Sequence, residues 1–81
     1  MTDIPPTTAR YVLHAFGASG GWRPGNFTEN LISLIARADQ HNAAKLGSVY
    51  PAEAAAVQLA KYDESGIATL QAIAAGEQVA A

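Results

Sequence analysis

Residues Gly17-Ala-Ser-Gly-Gly-Trp-Arg-Pro-Gly-Asn-Phe-Thr-Glu29 interrupt an otherwise alanine-rich chain and limit what it can fold into. They hold four of the seven glycines, one of the four prolines and the only tryptophan. Ser19-Gly20-Gly21 opens backbone angles barred to residues that carry a Cβ. Pro24-Gly25 reads as a turn that hands the chain to a helix. Asn26 followed by Glu29 has capping-box spacing, with Asn in place of Ser or Thr, and Thr28 is a second candidate cap. The fold therefore needs a helix before this loop and a main helix after it, with the Trp22 indole wedged between them.

Upstream, the Pro5-Pro6 pair keeps residues 1–6 extended. Thr7 or Thr8 caps a helix predicted over about Thr8–Phe16, with Val12, Ala15 and Phe16 on one stripe and Leu13 beside them. Gly17 suits the left-handed position past its end. Downstream, the longest helix is predicted over about Phe27–Leu46. At about 100° per residue, Leu34, Phe27, Ala38, Leu31, Ile35 and Ile32 sweep an apolar arc of roughly 160°, wide enough to predict cover on two sides. Asn42 falls near the middle of that arc and Asp39 near its edge. The spacing predicts a buried amide–carboxylate pair supporting the loop from beneath. Each such group costs about 1–3 kcal/mol if unpaired, so loop amides, the Trp22 indole or Arg23 must supply partners.

Gly47-Ser48 closes the long helix, and Tyr50-Pro51 opens another over Pro51–Tyr62. Its Ala52, Ala55, Ala56, Leu59 and Tyr62 share one face, while Val57 lies with Glu53 and Lys61. Ser65 caps a last helix over Gly66 to about Ala75, with Ile67, Leu70, Ile73 and Ala74 inward. Gly76 ends it, and residues 77–81 form a frayed tail. Nothing alternates with period two beyond a few residues. The expectation is all-α: a single domain over 1–81, a bundle of about four helices around a central long helix at about 27–46.

Composition narrows the function. Eighty-one residues build one core, and a chain this short hides only about 60% of the surface its unfolded form exposes. Alanine makes up about a fifth of the chain and buries little area per residue, so a partner or a second copy is an attractive source of further burial. A net charge of -2, with Arg10, Arg23, Arg37, Lys45 and Lys61 scattered, leaves no basic patch for nucleic acid. The N-terminus lacks the basic and apolar regions of a signal peptide, and no stretch nears the roughly 20 apolar residues of a membrane span. The expected compartment is the cytoplasm, that of the host cell if the chain is phage-encoded. Without cysteine there is neither disulfide nor thiolate ligand.

Gly17-Ala-Ser-Gly-Gly21 matches the letters of a nucleophile elbow, but that turn needs a strand before it and a hydrolase fold around it. His14 and His41 have no partner at metal-ligand spacing. The loop glycines lack a Walker lysine and the G-x-G-x-x-G pattern. No catalytic, cofactor or metal site is expected, and the chain reads as a non-enzyme. Asn26-Phe-Thr28 matches a glycosylation acceptor, which means nothing without secretion. Trp22-Arg23 admits two readings. Either Trp22 plugs the core and Arg23 pairs with a carboxylate, or both anchor an interface, where these residue types concentrate. Phe27 joins them at the loop's end. Tyr50, Val57 and Tyr62 are candidates for a shared surface around Pro51–Tyr62.

Through Gly20-Gly-Trp-Arg-Pro-Gly25, Phe27-Thr28, Ala38-Asp39, Asn42 and Leu46, the chain resembles a family of small proteins from actinobacteria and their phages that carry a GGWRPGxFT motif. The likeness spans roughly residues 9–74 and brings no catalytic signature. It implies a phage or prophage accessory protein acting on a host protein by contact. A homo-oligomeric assembly component and a nucleic-acid-associated regulator are the alternatives.

Overall fold

The first helix begins two residues earlier than its threonines suggest. A computed structural model describes residues 3–80 of the chain, and side chains as far as Gly76. Helix α1 spans Pro6–Ala15, with Pro6 in its first turn and no side-chain cap. Proline is at home there because its missing N–H is one the helix cannot use and its φ is preset. At its C-terminus, the Gly17 N–H donates to His14 O (3.0 Å) and the Ala18 N–H to Leu13 O (2.9 Å). Gly17 is left-handed, φ 69°. These two bonds form a Schellman cap, which turns the chain sharply into the glycine-rich loop.

Four further helices follow: α2 (Asn26–Arg37), α3 (Gln40–Val49), α4 (Pro51–Tyr62) and α5 (Gly66–Ala80). The fold is all-helical among the described residues. The long helix expected over 27–46 is two helices, broken at Ala38 and Asp39. Asn26 is not the cap of α2. Gly25 is, without a side-chain bond, and its carbonyl accepts the Glu29 N–H (2.9 Å). Gly47 does not end α3, which runs on beside α4 as far as Val49. A Cβ there would touch the Ala54 Cβ at 3.4 Å. Gly76 does not end α5 either. Residues 1–2 of the expected extended segment and Ala81 fall outside the described residues, while residues 77–80, expected as a frayed tail, continue α5.

The core consists of Ala9, Val12 and Leu13 of α1, Leu31, Ile32 and Ile35 of α2, Ala56 and Val57 of α4, and Leu70 and Ala74 of α5. In α1, α2 and α5 the buried positions recur at three and four residues, as on single helix faces, whereas Ala56 and Val57 of α4 are adjacent and face different neighbours. Ile67 and Ile73 flank the core half-buried, whereas Ala15 is exposed. The central element is α4, which touches all four other helices. Its alanines explain this: small side chains let neighbouring backbones close in from several directions. That arrangement also buries Val57, at 2% exposure, although it lies away from the main α4 stripe. Helix α3 contributes no buried residue. The Cα radius of gyration, 11.7 Å, is close to the roughly 12 Å expected for a compact chain of this length.

Candidate functional site

The glycine-rich loop lies back along α1. The Trp22 N–H donates to Arg10 O (3.0 Å), and a Cβ at Gly21 would collide with the backbone of His14. Two side chains from outside the loop hold it. Arg10 donates from Nη1 to Gly20 O (3.0 Å) and from Nη2 to Ala74 O (3.3 Å), tying loop, α1 and α5 together. Gln71 Nε2 donates to Ser19 O (3.1 Å). Neither Arg10 nor Gln71 stands out in sequence, since each is one polar residue on a helix flank.

Trp22 is not wedged into the core. The residue is 47% exposed, and the Arg10 guanidinium lies over its ring, 4.2 Å from the centroid. A cation on one face of an exposed indole contributes about 0.5–1 kcal/mol. Trp22→Ala is therefore expected to cost about 1–2 kcal/mol with the partial burial included, not the 3–5 kcal/mol of a core aromatic. A thermal melt checks this, and a loss above 3 kcal/mol would restore the wedge. Arg23 points into water, with Nε 3.8 Å from Glu29 Oε2, an exposed pair of little energetic weight.

The support expected from Asp39 and Asn42 is absent. Both side chains are exposed, and they serve each other. Asp39 is the N-cap of α3: its Oδ1 accepts the Asn42 N–H (2.8 Å) and its Oδ2 accepts the Asn42 Nδ2 (3.1 Å). The physical reason is proximity. Once the helix breaks, four first-turn amides lack partners, and the carboxylate three residues before Asn42 reaches one of them.

Of the other candidates, Val57 is in the core and unavailable to any partner. Tyr62 is 72% exposed at the end of α4, with the Lys61 ammonium 5.0 Å from its ring centroid. Phe27 and Tyr50, 23 positions apart, come together with ring centroids 6.4 Å apart. Phe27 is 69% exposed and Tyr50 half-buried. The α2 arc is covered along one margin only. Leu31, Ile35 and Ile32 are buried, while Phe27 and Leu34 at the opposite margin stay in water. On α3, Leu46 is half-buried and Val49, three residues on, is exposed. Leu34 and Leu46 line one open groove of about 570 Å³, with Arg37, Lys45 and Asp39 at its margin.

Sequence reasoning missed Leu34 and Val49 as surface residues. For Leu34 the available signal was the breadth of the arc, wider than one neighbouring helix covers; Val49 lies outside that arc. No group of three or more His, Asp or Glu side chains that could hold a metal occurs among the described residues. No helix among them is long and apolar enough to cross a membrane. No protein-family model, curated protein or solved structure matches the chain.

Proposed function

We propose that this domain is a non-enzymatic binding module that engages a protein partner with the open margin of α2 and the outer side of α3. One observation carries the reading: Phe27, Leu34 and Val49 are 69%, 49% and 67% exposed on two helices that meet. Covering a side chain of this size gains about 1.5–3 kcal/mol. Half-buried Leu46 and Tyr50 would continue the apolar centre, and Arg37 and Lys45 would supply the polar rim such contacts use. The resemblance to small actinobacterial and phage proteins favours a host protein as the partner. Trp22 and Arg23, on the loop that leads into α2, are the secondary candidates.

The test is a paired substitution, Phe27→Asp with Leu34→Asp. Exposed positions change stability by about 0.5 kcal/mol or less, so the melt should stay near wild type. Affinity for the partner captured from an actinobacterial host should fall at least about thirtyfold, the loss expected when two anchors of an apolar centre become charged. Sedimentation of the free wild type beside the doubly charged variant tells a second copy from a foreign chain, since self-association through this face is lost with the two aspartates. A doubly charged variant that retains the partner at wild-type strength would remove this face as the contact.

A further inference from the structure

Residues 26–46 contain neither glycine nor proline, and their local pattern is that of one continuous helix. The chain nevertheless breaks at Ala38 (φ −70°, ψ 143°) and Asp39 (φ −68°, ψ 171°). Two side chains compensate for the break. Lys61 of α4 donates from Nζ to Ala36 O (2.7 Å), the carbonyl that a continuous helix would give to the Gln40 N–H. Asp39 accepts the Asn42 N–H, which a continuous helix would direct to Ala38 O. Straightening would replace both side-chain bonds with backbone ones. Little opposes it from α3 itself, which buries no residue.

We infer that Ala38–Asp39 is an exchange hinge through which two copies of this chain can interlock. When the hinge straightens, α2 and α3 fuse into one helix from Asn26 to Val49, about 36 Å long. The unit α1–α2 then leaves its own α4 and α5 and docks on those of a second copy. Every contact across the hinge, from the α1–α5 packing to the Phe27–Tyr50 pair, re-forms between chains. Only the residues around the break change conformation. This is the condition under which exchange of elements between identical chains is inexpensive. The Phe27–Tyr50 part of the contact surface proposed above is the same in both forms, whereas the groove between Leu34 and Leu46, which Ala38 and Asp39 line, is reshaped when the hinge straightens.

Three variants refolded at high and low concentration, followed by sedimentation and light scattering, test the inference. In Asp39→Ala the bent form loses its cap. At about 1 kcal/mol per cap and two hinges per dimer, dimerisation should strengthen about thirtyfold. Adding Lys61→Met should strengthen it further. Gln40→Pro does the reverse. As the first residue of α3, after an extended Asp39, a proline fits the bent form. In the fused helix it would lose the bond to Ala36 O and clash. Gln40→Pro should therefore melt at or above the wild-type temperature and abolish the dimer. Spin labels at Asn26→Cys and Ser48→Cys, diluted with unlabelled chain, report geometry: about 33 Å apart within a chain if the helix is fused, far less if it is bent. The inference is overturned by any of three results: Asp39→Ala/Lys61→Met staying monomeric, a dimer that Gln40→Pro leaves intact, or a dimer with a short intrachain distance.

Discussion

Gly66→Ala is expected to destabilise the domain by about 3 kcal/mol or more, against the roughly 4–12 kcal/mol that a chain of this length holds in total. Gly66 opens α5 against the last turn of α4. A methyl group there would fall on the Leu59 carbonyl and within 3.2 Å of the Ala60 nitrogen. These are backbone atoms, so no rotamer change relieves the overlap, and the α4–α5 hairpin must open. The melting temperature should fall by about 12–24 °C, at about 4–8 °C per kcal/mol. Helix propensity alone argues the other way, since alanine is better than glycine in a helix by about 1 kcal/mol. Gly76 is the control: it lies in the same helix, and a methyl group there would meet nothing within 4 Å. Gly76→Ala should stabilise by about 0.5–1 kcal/mol. Gly66→Ala melting at or above the wild type would contradict the close approach of α4 and α5.

Ile32→Ala should cost about 2–5 kcal/mol, while Leu34→Ala, two residues along the same helix, should cost less than about 1 kcal/mol. Ile32 is fully buried, so its truncation removes packed methylenes and leaves a cavity. Leu34 is half in water and has less burial to lose. The contrast matters for function, because the proposed contact requires α2 to be covered on one margin only. Denaturant unfolding of the two variants measures it directly. Similar losses at both positions would mean that the Leu34 margin is packed, and the proposed contact face would disappear with that result.

Much of the secondary structure could be read from the residues. Helix α4 begins at Pro51 and ends at Tyr62 as proline placement and the Asp63-Glu64-Ser65-Gly66 turn require. The Gly17 cap follows from local backbone sterics, and the start of α5 at Gly66 from the turn that precedes it. Leu70 and Ala74 are inward because the spacing of four keeps them on one helix face. The candidate site was less legible. Phe27 and Tyr50 were both singled out, but nothing in sequence shows that residues 23 positions apart pack against each other. Val57 looked peripheral because its own helix face is charged, and neighbours from other helices buried it.

What the residues determine alone is local: where helices can start, where glycine must turn the chain, and which side of each helix is apolar. Those preferences act over three or four positions, so sequence periodicity records them. The tertiary structure decided the rest. It broke Asn26–Val49 at Ala38–Asp39, a site with no helix-breaking residue, where Lys61 caps the first piece and Asp39 the second. It made alanine-rich α4 the centre, and it held the Trp22 loop with Arg10 and Gln71 rather than Asp39 and Asn42. Each outcome depends on groups brought together from distant parts of the chain, where helical spacing carries no information.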